Sequence, residues 1–475
     1  MYINGKWIEK GIGEVVVKNP ATGEVVGTVP KLGKEQIEEA INAADEAFKT
    51  WSQLPAIQRS NYLYRVAEIM RERKEDLARI GTLEMGKSLI DMRGEVQAAI
   101  DYVQWYAEEG RRVYGETIPS NAANKRVSVL KQPIGVVGAI TPWNFPVSMI
   151  TRKIAPAIAV GCTVVVKPAS QSPLSAKLIF EIFEQAEIPA GVVNLIQGDA
   201  GLVSQTLLQS PKVKKLSFTG STEVGKKLIA GSADTVTKLS LELGGHAPYI
   251  VFEDANIDLA VDSLVAGKFR CAGQTCVCMN RVYVHESIVE EFSNKLVEKV
   301  AQLKVGNGLD PNTSVGPLVD MKGVQKSEEH VQDAVSKGAK VLVGGKRPTA
   351  PELANGSFYE PTVLGGVNES MLISYEETFG PVAPIITFKS EEEVVEKANN
   401  TPYGLAAYFY TNDISRSHRV SEQLQFGIVG VNDSLPIHAA VPFGGIKESG
   451  YGKEGGHHGM KEYLIEKLVS VRIGD

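Results

Sequence analysis

The chain has few cysteines, no dominant charge and no long apolar run, and each shortage excludes something. Nowhere does an apolar stretch reach the roughly 18 to 20 residues that a bilayer-crossing helix needs, so no membrane span is expected. The opening MYINGKWIEK has no basic segment followed by an apolar one, so no secretory leader is expected and a cytoplasmic protein is. With 50 basic against 56 acidic residues and a net charge of -6, there is no cationic footprint for nucleic acid or an anionic membrane. Four cysteines in 475 residues cannot build a disulfide framework, which points to a reducing compartment. Three of the four nevertheless fall within ten residues, FRCAGQTCVC at 269–278. No histidine stands at ligand spacing and CxC alone supplies too few ligands, so no metal site is expected there.

What is present is a soluble α/β pattern. Hydrophobic content of 43% with 22% charged residues is that of a globular chain, and the length suggests two or three packed units. Apolar residues at helical spacing predict helices over 35–49, 58–80 and 89–109. A polar segment at 115–126 and an extended run at 127–130 read as an arm. From Pro133 short apolar runs alternate with helical segments: VVGAI at 136–140, TVVVK at 163–167, VVNLI at 192–196 and KLSF at 215–218. That alternation predicts a parallel sheet covered on both faces, with ligands along the carboxyl ends of its strands. Those ends carry TPWNFP, KPAS and FTGSTEVG. After LELGG at 241–245 a second alternating region runs to about Val431. The tail, 459–473, reads as a turn and a strand that pairs with the 127–130 run of the same or another subunit.

Several residues carry chemistry, each with a plainer reading beside it. GSTEVG at 220–225, with Gly220 and Ser221 at its start, opens a helix directly after a strand and could hold a pyrophosphate; a glycine-rich turn capping a helix looks the same. Lys167 is either a strand terminus or a ligand for a ribose. Asn144, in a loop bracketed by Pro142 and Pro146, suits an oxyanion donor or an Asx turn. Glu242, ending a buried strand, is either paired or raised toward general-base use. His246 and Cys271 read as packing residues. Cys278 could face the same way as Cys276 if an extended segment begins there, allowing a reversible disulfide, or could be a small buried apolar residue.

In order, TPWNFP, KPAS, FTGSTEVG, LELGG, FRCAGQTC, EETFGP and PFGGIKESG resemble the aldehyde dehydrogenase superfamily over nearly the whole chain. ITRK, KPAS and FRCAGQTCVC together most resemble its succinate-semialdehyde dehydrogenases. The resemblance implies an α/β fold: a Rossmann-type parallel-sheet cofactor domain (1–114 and 134–243), an α/β catalytic domain (244–445), and a small β oligomerisation arm and tail (115–133 and 460–475). It implies Cys276 as nucleophile, Glu242 as general base, and Asn144 with the Cys276 N–H as oxyanion hole. Lys167 would hold the adenosine ribose, Trp143, Gly220 and Ser221 the pyrophosphate region, Glu377 the nicotinamide ribose, with Phe379 against the ring. Ser170 stands where NAD-selective members commonly carry a carboxylate, so NADP is expected to be preferred, with NAD accepted. Arg152 and Arg270 would grip a distal carboxylate, with His438 and Phe443 also at the substrate. Ile437 occupies a place where related enzymes often offer serine. The expected substrate is therefore succinic semialdehyde, with glutarate semialdehyde or a broader aldehyde range open, and a homodimer or homotetramer is expected. A cofactor-independent cysteine esterase is the reading from another class.

Overall fold

The computed structural model describes residues 1–474. Among them, the segment from Pro133 supplies the five parallel strands of an eight-stranded sheet, which Tyr2–Ile3, Lys6–Trp7 and Gly450–Tyr451 complete at its edges. Its order places Lys238–Glu242, Val213–Thr219, Val136–Ile140, Thr163–Lys167 and Val193–Leu195 side by side. Chain order therefore reverses between Val136–Ile140 and Val213–Thr219, the crevice where such sheets bind ligands. TPWNFP and TGSTEVG emerge on either side of it. These strands are buried on both faces, which is why they read as continuous apolar runs.

A second sheet of seven strands runs in the order Lys340–Val343, Thr362–Gly365, Val382–Phe388, Met279–His285, Ala247–Val251, Ala406–Tyr410, Ile428–Val431. It is parallel except at its first pair. Each sheet has its own hydrophobic core. LELGG is the joint, because Glu242 ends the first sheet and Ala247 begins the second.

The helical opening holds, with one difference: 58–80 is two helices, Ala56–Glu72 and Lys74–Met85. They break at Arg73, whose φ of -97° and ψ of 19° lie outside the helical well. The Leu89–Glu109 helix starts where Ser88 accepts the N–H of Asp91. In the tail, the predicted turn is a short helix, Gly456–Lys461, followed by the Leu464–Arg472 strand. That strand pairs antiparallel with Lys125–Pro133 of the same chain, from Leu464 opposite Pro133 to Arg472 opposite Lys125. Asp475, the last residue of that tail, lies outside the described residues. The three-stranded sheet so formed shows solvent Leu130, Ile465, Leu468 and Val471. No helix among the described residues is long and apolar enough to cross a membrane.

Candidate active site

The FRCAGQTCVC stretch leaves the Ile257–Lys268 helix through a tight left-handed turn. Cys271, Ala272 and Gly273 have φ of 53°, 53° and 75°. For the two residues with a Cβ this costs roughly 1–2 kcal/mol each, so neighbours must hold it. Gln274 supplies two ties: its amide donates to Cys271 O at 2.9 Å and its oxygen accepts the N–H of Val319 at 2.9 Å. Asn144, itself buried, donates its side-chain N–H to Gln274 O at 2.9 Å, which brings the TPWNFP loop to within two residues of Cys276. Gly245 of LELGG packs against the carbonyl of Cys276 so closely that a Cβ would overlap it.

Residues 275–278 form a turn closed by the Cys278 N–H on Thr275 O at 3.1 Å. The extended segment that would align Cys276 with Cys278 is absent, because this turn changes the side-chain direction between them. Cys278 is fully buried and accepts from Lys268 Nζ at 3.4 Å. Cys276 lines a cavity of about 480 Å³. Burial pushes its thiol up to about 12, against the pull of Arg152.

Glu242 is buried with both carboxylate oxygens free of hydrogen-bond partners. Gly444, at φ 153°, makes room for it: a Cβ there would stand 2.7 Å from Glu242 Oε1. Burial, then the charge of Glu454, raises Glu242 well above the carboxylate range, while Arg152 and Lys153 oppose the shift. Glu454 goes the other way. Burial works to raise it, but Lys153 and Arg152 outweigh that and hold it below its ordinary value. Lys153 Nζ bonds Glu454 Oε1, and Arg152 Nε lies 3.2 Å from Glu454 Oε2. Two carboxylates share two cations, and the protonation preference splits between them.

The cavity wall holds Arg152, Arg270, Ile437, His438 and Phe443 beside Cys276. Arg152 lies 4.1 Å over the Phe443 ring and 5.2 Å over that of Tyr102. Arg270 forms no ion pair among the described residues, and its buried Nε has no hydrogen-bond partner. His438 is exposed on the rim, its Nδ1 accepting the N–H of Ala440. His246 is buried, 6.3 Å from Tyr403, as a packing residue would be. Cys271 is buried with Sγ 3.8 Å from Asn144 O.

The carboxyl edge of the first sheet fits a dinucleotide. Thr141 Oγ1 and Thr219 Oγ1, buried on either side of the switch point, have no partner. Ser221 caps the Thr222–Gly231 helix by accepting from Val224 N–H, and Gly220 N–H is tied to Glu242 O at 3.0 Å. Lys167 donates to Pro168 O at 2.9 Å, and burial pulls it down to about 8 against the charge of Asp199. Ser170 is exposed beside it. On the far side of the crevice Trp143 and Phe379 meet edge to face at 5.7 Å. Glu377 accepts the Gly245 N–H at 3.1 Å, and burial raises it to about 7 despite that bond.

Sequence reasoning missed Lys153, Glu454, Tyr102 and Gln274. A signal for the first two was present: Ser148–Val160 is buried along its whole length yet carries adjacent cations, which demands a buried acid elsewhere. Phe443 and Glu454 exchange main-chain hydrogen bonds, N–H to O at 2.6 and 2.8 Å, so PFGG and GKEGG form one unit.

A half-buried thiol on a cavity wall, a carboxylate pair with split protonation preferences and a parallel-sheet crevice that fits a dinucleotide are the arrangement of an α/β enzyme. The model of the aldehyde dehydrogenase family matches residues 7–469, and the chain belongs to that family. It is 50% identical to a glutarate-semialdehyde dehydrogenase of Pseudomonas putida, over 99% of this chain and 97% of that one. It is 49% identical to an NADP-dependent succinate-semialdehyde dehydrogenase of Escherichia coli, again over 99% and 97%. The crystal structure of a succinate-semialdehyde dehydrogenase from Burkholderia pseudomallei superposes with a TM-score of 0.97 at 48% identity, covering 99% of this chain and 97% of that one.

Proposed function

We propose that the chain oxidises a short aldehyde bearing a distal carboxylate, succinic semialdehyde first, with NADP preferred and NAD accepted. The observation that carries this is Arg270: a guanidinium in the wall of the nucleophile's cavity with no acidic partner among the described residues. Arg270 is half-buried with a buried, unbonded Nε, and a substrate carboxylate would satisfy that donor. Arg152, already shared with Glu454, has its Nη2 buried and without a hydrogen-bond partner as a second donor. The room in the cavity and Ile437 in its wall, in place of a hydroxyl, favour glutarate semialdehyde as the second reading.

Cys276 Sγ adds to the aldehyde carbon, and Asn144 Nδ2 with the Cys276 N–H steadies the oxygen as charge builds on it. A nicotinamide bound there would supply the hydride acceptor for the carbon joined to Cys276, leaving a thioester. Glu242 then takes a proton from water as that water attacks the thioester and the acid leaves. Burial favours the protonated form of both Cys276 and Glu242; Arg152 favours the ionised form of each, and Lys153 that of Glu242. Lys167 and Ser170 would hold the adenosine ribose, with Ser170 imposing no charge against a 2'-phosphate. Gly220 and Ser221 with Trp143 would take the pyrophosphate region, Glu377 the nicotinamide ribose and Phe379 the ring. The three-part division into cofactor domain (1–114, 134–243), catalytic domain (244–445) and arm belongs to the same reading, with the apolar arm sheet joining protomers.

The test is a panel of aldehydes against both cofactors, read as reduced nicotinamide. Succinic semialdehyde with NADP is expected to give the highest kcat/KM; hydrolysis of an ester such as p-nitrophenyl acetate, with no cofactor reduction from any aldehyde, would support a cysteine esterase instead.

A further inference from the structure

Asp91 and Glu95 lie one turn apart on the Leu89–Glu109 helix, and each carboxylate holds a different half of the site. Asp91 Oδ2 accepts the main-chain N–H of Cys271 at 3.0 Å, at the first of the three left-handed residues that lead to the nucleophile. Glu95 Oε1 accepts the N–H groups of Val147 and Ser148 at 2.8 and 3.0 Å, directly after the Asn144 loop. Its other oxygen takes Lys87 Nζ at 2.6 Å, and both side chains are about 1% exposed. Lys87 Nζ stands 3.9 Å over the ring of Phe145, the residue after Asn144. The loops themselves touch through the bond from Asn144 Nδ2 to Gln274 O and the longer contact of Cys271 Sγ with Asn144 O at 3.8 Å.

Side chains four residues apart on a helix keep a fixed separation of roughly 5–6 Å between their Cβ atoms. A helix that grips one loop with each of two such residues therefore sets the distance between the loops. We propose that this helix is the gauge of the active site, and that Asp91 and Glu95 are positioning residues for the Cys276 and Asn144 loops. Asp91 acts by holding a strained turn that would otherwise relax, and Glu95 by satisfying two N–H groups at the start of the Ser148–Val160 helix, which carries Arg152 and Lys153. Because nucleophile and oxyanion donor must be placed to within a fraction of an ångström, a small shift of one loop acts on turnover rather than on cofactor binding. The inference rests on the reading of Cys276 as nucleophile and Asn144 as oxyanion donor.

The experiment measures kcat for Asp91→Ala and Asp91→Asn, each alone and combined with Asn144→Ala, using succinic semialdehyde and uncharged butanal. Asp91→Ala is expected to lower kcat about tenfold or more for both aldehydes, with the KM for NADP unchanged. Asp91→Asn keeps an oxygen acceptor for the Cys271 N–H and is expected to recover activity to within about threefold. In the Asn144→Ala background the Asp91→Ala loss is expected to shrink to less than about threefold, because the distance being set no longer serves a donor. An equal loss in both backgrounds, or Asp91→Asn as slow as Asp91→Ala, overturns the proposal. A loss confined to the carboxylated aldehyde also overturns it, since Asp91 would then act on the substrate's charge. If Asn144→Ala alone keeps full kcat, the oxyanion reading itself fails and takes the gauge with it. Glu95→Ala and Glu95→Gln are expected to repeat the pattern, and the half-buried Asp91 decides the matter alone should Glu95→Ala not fold.

Discussion

Arg152 Nε lies 3.2 Å from Glu454 Oε2, both side chains almost wholly buried, so this arginine belongs to the carboxylate pair as much as to the wall of the Cys276 cavity. Its charge works on Glu242, Glu454 and Cys276 together. Arg152→Ala is therefore expected to lower kcat as well as raise KM for succinic semialdehyde. Removing one partner of a buried pair costs about 3–5 kcal/mol, so a fall in melting temperature is expected too. Steady-state kinetics beside a thermal melt checks this; a pure KM effect would mean that Arg152 serves the substrate alone.

Glu242 gives a prediction about pH. Its folded pKa is raised, chiefly by burial and then by Glu454. Folding that favours its protonated form loses this contribution as pH rises from the ordinary carboxylate value toward the raised one. Glu242→Gln cannot ionise, so its melting temperature relative to the parent is expected to improve between pH 5 and pH 8. Its kcat is expected to fall by about 10²–10⁴, as for loss of a general base, and to lose the parent's rise with pH. Melts at both pH values and a kcat profile check the two halves separately.

Ser170 sits exposed beside the buried Lys167. A carboxylate there would repel a 2'-phosphate and accept from a 2'-OH, so Ser170→Glu is expected to move the NADP-to-NAD ratio of kcat/KM toward NAD by about tenfold or more, roughly 1.4 kcal/mol. An unchanged ratio would place the adenosine ribose elsewhere.

Much of this site was legible because its parts are local. Fully buried strands write themselves as runs such as TVVVK, and special loops such as TPWNFP fall at their ends. The Lys153–Glu454 pair was only half legible: adjacent cations in an apolar helix call for a buried acid, but 301 residues separate the partners and nothing in the sequence singles out Glu454. The sequence leaves open whether an extended segment begins at Cys276, because CxC fits a strand as well as a turn, and the choice is made by Thr275 O accepting from Cys278 N–H. The Gly456–Lys461 helix was taken for a turn because six residues with two glycines show no helical period.

That turn bears on oxidation. With Cys278 facing Lys268 rather than lining the cavity, Cys276 is expected to oxidise on its own. Peroxide inactivation is expected to proceed at the parent rate in Cys278→Ala; marked protection would show that the turn opens and the two sulfurs meet.

The free guanidinium of Arg270 is the centre of the account, and one comparison tests it: kcat/KM for succinic semialdehyde against butanal, in the parent and in Arg270→Ala. Loss of a charge-assisted hydrogen bond is worth about 1.5–3 kcal/mol, so the parent's preference for the carboxylated aldehyde is expected to fall by roughly 10- to 150-fold while butanal is oxidised as before. An equal loss for both aldehydes, or an unchanged preference, would contradict the assignment of Arg270 to the substrate carboxylate.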